Sequence, residues 1–247
     1  DINAGGLDIE ALSDDLLIAV SSGASGAKPK SKNVNVAGSA NVDLIENNTV
    51  ASVGTNSVVT VDDDVTVGAT TDTQVISVAG GVSISGKGGI GAAVDFTLMD
   101  NTTEASVGNG ADIDAGGNVL VTADSREWLV SVAASVGIGG QGLGLAGAVS
   151  VQVITTDVDA YIDGGAVVDA EGSVLVDAAD TSFFVVVAGQ ASGGKKAGVG
   201  ASIVTNIITR DVSAYIGDGA RITAYGNGTA VDRSEEHTSE LQSPLCI

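Results

Sequence analysis

Few residues in this chain could do chemistry, and their positions narrow the options. The single histidine, His237, and the single cysteine, Cys246, both fall in the last fifteen residues. There Arg233–Ser243 spells RSEEHTSELQS, which reads in one unbroken frame as a translated sequencing adapter. Residues 233–247 are therefore expected to be a non-native, disordered tail and are set aside before any reasoning about fold. Thiol chemistry, histidine-based metal sites and a Ser-His triad leave with them. Among the remaining carboxylates, Asp157, Asp159 and Asp163, beside Gly164 and Gly165, are the calcium candidates, since hard oxygen donors suit that ion. They lack the EF-hand order of ligands, and a solvated acidic turn is the preferred reading, as it is for Asp62-Asp63-Asp64. No catalytic set emerges, so the chain is read as not an enzyme, and no cofactor is expected.

Other motifs resolve into plainer features. Gly86–Gly91 and Gly137–Gly142 both match GxGxxG, but a dinucleotide site needs that turn to open a helix. Strand-like alternation follows both copies, so they read as tight turns. Gly139–Leu145 resembles the glycine-rich calcium nonapeptide but lacks its aspartate. The sequons at Asn47, Asn101 and Asn227 read as turn residues, two of them in the same repeat turn. All six lysines, Lys28, Lys30, Lys32, Lys87, Lys195 and Lys196, cluster in one repeated turn and read as solubilising charges. A polysaccharide lyase on a β-helix needs Asp, Lys and Arg gathered on one face, and no unit departs from the repeat in that way.

The aromatic residues carry more information. Tyr161 and Tyr215 follow Ala160 and Ala214 in equivalent phrases. If Ala160 and Ile162 point inward, alternation turns Tyr161 outward, in a row continued by Ser106 and Ser52. Outward stacked tyrosines could bind sugars, which makes Tyr161 and Tyr215 the surface-contact candidates. A self-stabilising aromatic ladder is the preferred reading. Trp128 and Phe183, placed in a row with Val130 and Val185, are expected in the core.

Composition sets the frame for these residues. Residues 1–232 hold nine basic and 28 acidic side chains, a net charge of −19. That balance argues against nucleic acid and anionic membranes, both of which need a basic face. High content of Val, Ala and Gly argues for packed structure rather than disorder, and no apolar run is long enough to cross a membrane as a helix. Because Asp1 begins inside a repeat, the chain is read as a fragment of a longer one.

The repeat is the central feature. NNTVASVG, NTTEASVG, TTDVDAYIDGG and TRDVSAYIGDG align on Ala51, Ala105, Ala160 and Ala214, at spacings of 54, 55 and 54 residues. A fixed period of this kind signals stacked supersecondary units. Leu7-Asp8-Ile9, Val65-Thr66-Val67, Val119-Leu120-Val121 and Val174-Leu175-Val176 hold one register, and the intervening pattern has period two throughout. Residues 1–232 are thus expected to form an all-β parallel solenoid of about four units, with rows at 51/105/160/214 and 53/107/162/216. Each unit should hold about five short strands wound as two coils, roughly Thr103–Glu127 and Trp128–Thr156. One ordinary coil plus a long hairpin around Gln141 is the open alternative. Eight or nine coils would span roughly 40 Å.

The run AGGVSISGKGGIGAAVDFTLMDNTTEASVGNGADIDAGGNVLVTA at Ala79–Ala123 resembles the repeats of large leukotoxin-type, haemagglutinin-like filamentous adhesins of diderm bacteria. The resemblance rests on the Gly-rich turn, the Asn-Thr-Thr turn and the AxVG phrase, and covers nearly all of residues 1–232. It implies a secreted, elongated protein of the bacterial cell surface that serves adhesion, and it brings no catalytic residues. The chain is accordingly expected to act as a spacer and low-affinity contact segment of a surface fibre. Host-cell surfaces, matrix and glycans are the expected partners, with end-to-end self-association through unprotected strand edges. A carbohydrate-active β-helix enzyme and a calcium-stiffened adhesin module are the alternatives. Deleting residues 233–247 is expected to leave the thermal midpoint unchanged within error, as measured by circular dichroism.

Overall fold

A computed structural model describes residues 1–28 and 32–226. The expected tail and the sequon at Asn227 lie outside the described residues. Period-two alternation produces only strands here. The first turn of the chain comprises β1 (Ile2–Ala4), β2 (Leu7–Gly26) and β3 (Val34–Val53). The second comprises β4 (Val58–Val61), β5 (Val65–Ser85) and β6 (Gly88–Val107). The third holds β7 (Asp112–Ala115), β8 (Val119–Gly139) and β9 (Leu143–Ile162). The fourth holds β10 (Val167–Ala170), β11 (Val174–Gly194) and β12 (Ala197–Ile216), and β13 (Arg221–Ala224) begins another.

Each strand hydrogen-bonds in parallel to its own equivalent one repeat away. Three sheets result: β1-β4-β7-β10-β13, β2-β5-β8-β11 and β3-β6-β9-β12. The register confirms the expected rows, Ala51↔Ala105↔Ala160↔Ala214 and Val53↔Val107↔Ile162↔Ile216. It also confirms Leu7 as the partner of Val65. The chain is a parallel β-solenoid.

The coil count differs from expectation. Val65 pairs with Val119 and Val119 with Val174, so one coil consumes the whole repeat. Each coil has three strands rather than five, and two of them run 20 or 21 residues. The corner expected between Glu127 and Trp128 does not exist, because β8 runs straight through it. The physical reason lies in the breakers. Among the described residues the reversals at the head corners and at the tips after β5, β8 and β11 contain Gly, Asn or Asp clusters, and no such cluster interrupts the alternation from Val119 to Gly139. The hairpin alternative also differs from the structure. The strands flanking Gln141 belong to different sheets and lie face to face rather than hydrogen-bonded to each other. With strands about 4.8 Å apart, the five-stranded sheet rises only about 19 Å, half the length expected.

In cross-section each coil is a head and a long arm. In the head, the short sheet meets the near ends of both long sheets around a dry core that includes Val65, Val107, Ile113, Val121, Ile162 and Val168. Beyond it the two long sheets continue alone as the arm. Its interior alternates an apolar layer of Val75, Met99, Leu129 and Ile154, a polar layer, and an alanine layer of Ala79, Ala93, Ala133 and Ala148. Side chains shrink toward the tip because the sheets converge. A Cβ added at Gly137 would lie 1.7 Å from the Leu145 carbonyl oxygen, and one at Gly91 would lie 2.3 Å from that of Val136.

Length changes are absorbed mainly at the tip of the arm, with one further residue gained at a head corner, where Gly5-Gly6 in the first coil is replaced by Asp62-Asp63-Asp64 in the second. Gly86-Lys87 separates β5 from β6, whereas Gly140-Gln141-Gly142 separates β8 from β9, and this extra residue produces the single 55-residue spacing. Both GxGxxG phrases are these tip turns and lead into strands, as expected. The head-side turn is equally regular. Its third residue takes positive φ in every coil: Asn56 (54°), Gly110 (67°), Gly165 (72°) and Gly219 (77°). Amides of Ser57, Ala111, Ala166 and Ala220 each donate to the carbonyl three residues earlier. This is a type II turn, which favours Gly or Asn at that position.

Alternation places two expected core residues outside. Leu129 and Phe184 face inward, so Trp128 (38% exposed) and Phe183 (56% exposed) face solvent, together with Val130 and Val185. Hydrophobicity alone could not assign the face, because both rows are apolar at this height. Gly165→Asn is expected to change unfolding free energy by no more than about 0.5 kcal/mol, since Asn56 already occupies the equivalent position. Gly165→Val is expected to cost about 1–3 kcal/mol in left-handed strain, measured by equilibrium urea denaturation.

Candidate functional site

The polar layers inside the arm hold the side chains best able to do chemistry, and hydrogen bonds between coils engage them. Asp95, on β6, is fully buried. One carboxylate oxygen accepts from Ser77 of its own coil, and the other accepts from Ser131 and from Gln152 (3.3 Å) of the next coil. Glu127, on β8, accepts from Asn101 (2.9 Å) one coil below, from Thr156 (2.6 Å) in its own coil, and from Ser182 (2.9 Å) one coil above. A threonine chain, Thr103 to Thr71 (2.8 Å) and Thr71 to Thr49 (2.9 Å), crosses the arm nearer the head. In the fourth coil Arg210 lies 3.4 Å from Asp180 and stands 5.4 Å above the Phe184 ring. Burial pushes the Asp180 carboxyl up, aided by Glu127, while Arg210 opposes the shift. Buried charge is costly unless fully bonded, and these groups recover that cost by joining coil to coil.

This arrangement revises the reading of two sequons. Asn47 and Asn101 lie within β3 and β6 rather than in turns, and their side chains point inward. Asn47 donates to Thr73 (2.9 Å) and Asn101 donates to Glu127, so both are held by partners across the arm.

The other set of polar residues stands on the outer face of β3-β6-β9-β12, near the head. Tyr161 and Tyr215 face outward as expected and stack, with ring centroids 5.1 Å apart and planes 5° from parallel. Their row continues through Ser106 and Ser52. The Tyr161 hydroxyl donates to Glu104 (2.6 Å), and that bond, with burial, pushes its pKa up to about 12. Such a ladder stabilises the stack and leaves the ring edges exposed.

Of the three calcium candidates, Asp157 and Asp159 share this outer face, while Asp163 lies in the turn beyond β9. Asp163 accepts the Gly164 amide (2.7 Å), which directs its side chain to its own turn. Asp157 sits directly beside Asp211 of the next coil, and Asp159 accepts from Ser213. Burial pushes the Asp157 carboxyl up, and the charges of Asp159, Asp211 and Asp100 add to the shift. Among the described residues no group of three His, Cys, Asp or Glu is placed to hold a metal ion.

Asp64 has a role that sequence reasoning missed. Its Oδ1 accepts the Asn118 amide (2.6 Å) of the next coil, and Asn118 Oδ1 in turn accepts the Ser173 amide (2.9 Å). Asp64, Asn118 and Ser173 recur at the repeat period, and that periodicity was the available signal.

The fold and these ladders define the class of the protein as a parallel β-solenoid with one wide coil per repeat. No family model, curated protein or solved structure matches the chain.

Asp157 yields a test with a definite sign. Its folded-state pKa lies above the ordinary 3.8, so the native state holds this proton more tightly than the unfolded state does. Ionisation therefore opposes folding at neutral pH, and the opposition fades as pH falls through the raised value toward 3.8. Asp157→Asn is expected to stabilise the protein by about 0.5 kcal/mol at neutral pH, the scale of a like-charge cross-strand pair. Thermal melts should show the two proteins converging as the pH approaches 4.

Proposed function

We propose that this chain is a structural and adhesive segment of a secreted bacterial surface fibre, of the kind its repeats resemble. The observation that carries this reading is the use made of the polar groups. The buried acids Asp95 and Glu127 bond coil to coil, and every described strand is in register with its equivalents. Each acid occurs in only one coil, but its oxygens are engaged by hydroxyl and amide donors of its own and adjacent coils, so it serves continuation of the stack. The separation of charges supports the same reading against a carbohydrate-active enzyme. The described lysines lie at the tip of the arm, and Asp100, Asp157 and Asp211 lie near the head at the far end of an eleven-residue stretch, about 36 Å of strand.

The wide coil changes what kind of fibre segment this is. Each repeat of 54 or 55 residues adds one strand spacing, about 4.8 Å, to the length, while strands of 20 residues give the coil a breadth of about 66 Å. The chain is invested in breadth and stiffness more than in reach. A broad repeating face, with the Tyr161–Tyr215 ladder among its features, suits many weak contacts with host-cell surfaces, matrix proteins or glycans, which combine through avidity.

The test is to measure binding of the purified chain, and of versions carrying added repeats, to host cells, matrix proteins and glycan arrays. Weak binding that strengthens with repeat number is expected. Saturable binding by one unit, abolished by Tyr161→Ala alone, would instead identify a dedicated receptor site.

A further inference from the structure

The arm is built inside out. Its interior near the tip holds Ser, Asn, Asp, Gln and Gly, while its outer faces hold Val, Ile, Leu and Ala. On the sheet β3-β6-β9-β12, the outward residues of Val34–Leu44, Gly88–Leu98, Leu143–Val153 and Ala197–Ile207 are all apolar or glycine except Thr205. No charge interrupts this band. Eleven residues at about 3.3 Å by four strands at about 4.8 Å give a face of roughly 700 Å² before side-chain relief is counted. That exceeds an ordinary exposed patch and approaches the roughly 800 Å² per partner of a stable interface.

The charges at the two ends of the band are complementary to each other but cannot meet within one chain. Beyond its head-side end stand Glu46, Asp100, Asp157 and Asp211, and none of them forms an ion pair among the described residues. Beyond its tip end stand Lys28, Lys32, Lys87, Lys195 and Lys196, also without ion pairs among the described residues.

We propose that this face is a self-association surface, on which a second copy of the chain lies face to face with its arm reversed and its coils stacked in the same direction. The operation is a twofold axis along the stacking direction, lying in the interface outside the sheet and level with the row Ser39/Ala93/Ala148/Ser202. It lays the groove row Gly38/Ala92/Gly147/Ala201 of one copy on the ridge row Ala40/Val94/Val149/Ile203 of the other. It also brings the charges together. Lys32 and Glu46 are each seven residues from Ser39, while Lys87 and Asp100 are six and seven residues from Ala93. Every contact occurs twice, as an isologous interface requires, and the operation is independent of the number of coils. Two stacks would run side by side with their arms overlapped.

The opposite long sheet carries a similar apolar band, but its head-side charges are of mixed sign: Asp14 and Asp72 share a row with Arg126, which itself pairs with Asp124 (2.7 Å). A lipid bilayer is the less suitable occupant. The unpaired edges of the end strands would lie in hydrocarbon, where exposed sheet edges are not tolerated.

The experiment is sedimentation velocity of the full 247-residue chain over a concentration series, with circular dichroism to verify the fold of each variant. Wild type is expected to dimerise. Val94→Glu, at the centre of the face, should abolish the dimer, whereas Val78→Glu on the opposite sheet should not. Lys87→Glu and Asp100→Lys should each weaken self-association at least tenfold, and an equimolar mixture of these two variants should recover it, because only the mixed pair restores both contacts. These surface exchanges keep the test decisive if Val94→Glu fails to fold. A wild-type chain that remains monomeric, a mixture no better than either variant, or association indifferent to Val94→Glu would overturn the proposal. The last is the behaviour of end-to-end pairing through strand edges. Val94-dependent binding to phosphatidylcholine vesicles by a chain that remains monomeric would assign the face to lipid instead.

Discussion

Parallel in-register stacking is the constraint on which the rest of this structure depends. Each residue has its own repeat equivalent about 4.8 Å above and below, so any side chain must be compatible with a copy of itself or with the residue that replaces it. Small and β-branched apolar residues satisfy this rule easily, and the head core is made of them. Tyr161 and Tyr215 satisfy it by stacking. Carboxylates satisfy it poorly, and the buried acids of the arm have hydroxyls or amides that can donate as their neighbours in the row. Asp95 lies between Asn41 and Ser150 in its row, and Glu127 between Thr73 and Ser182. Where the rule is broken, as at Asp157 beside Asp211, the carboxyl is pushed upward.

The buried polar layers therefore have a physical purpose. Apolar contacts between sheets are weakly directional and would allow one coil to slide by two residues without losing burial. Hydrogen bonds that Asp95 and Glu127 accept from specific neighbours in adjacent coils are lost on any such slip, leaving an unpaired buried polar group. The apolar layers supply the driving force for collapse, and the polar layers select the register. The type II turns at the head add to this, because a positive φ in every coil fixes where the chain must reverse.

The same polar layers lead to the unusual exterior of the arm. Once alternate positions of a 20-residue strand are occupied by groups that bond across the interior, the apolar half of the alternation must face outward. The head resolves this with a third sheet and a closed apolar core. The arm has only two sheets, converging until glycine alone fits between them, and its apolar rows are left on the surface. A fibre built from such coils presents broad, uncharged faces flanked by opposite charges, a surface suited to lateral assembly and to multiple weak contacts.

Period, strand content and register were determined by the sequence alone. The spacing of Ala51, Ala105, Ala160 and Ala214, the unbroken alternation and the equivalence of Leu7 with Val65 pointed to stacked β units, because a unit that cannot bury its apolar face alone must bury it against its neighbours. The outward stacking of Tyr161 and Tyr215 followed from alternation once Ala160 was placed inside. Tertiary structure decided the number of coils per repeat and which face is inside. A period of 54 or 55 residues is compatible with one wide coil or two narrow ones, and only the pairing of Val65 with Val119 distinguishes them. At Trp128 and Leu129 both faces of the strand are apolar, so alternation names two rows without saying which is buried. Asn101 and Glu127 read as surface residues in isolation. They belong inside because each finds its hydrogen-bond partner on a strand of another coil, and that partnership exists only after the chain has wound around to meet itself.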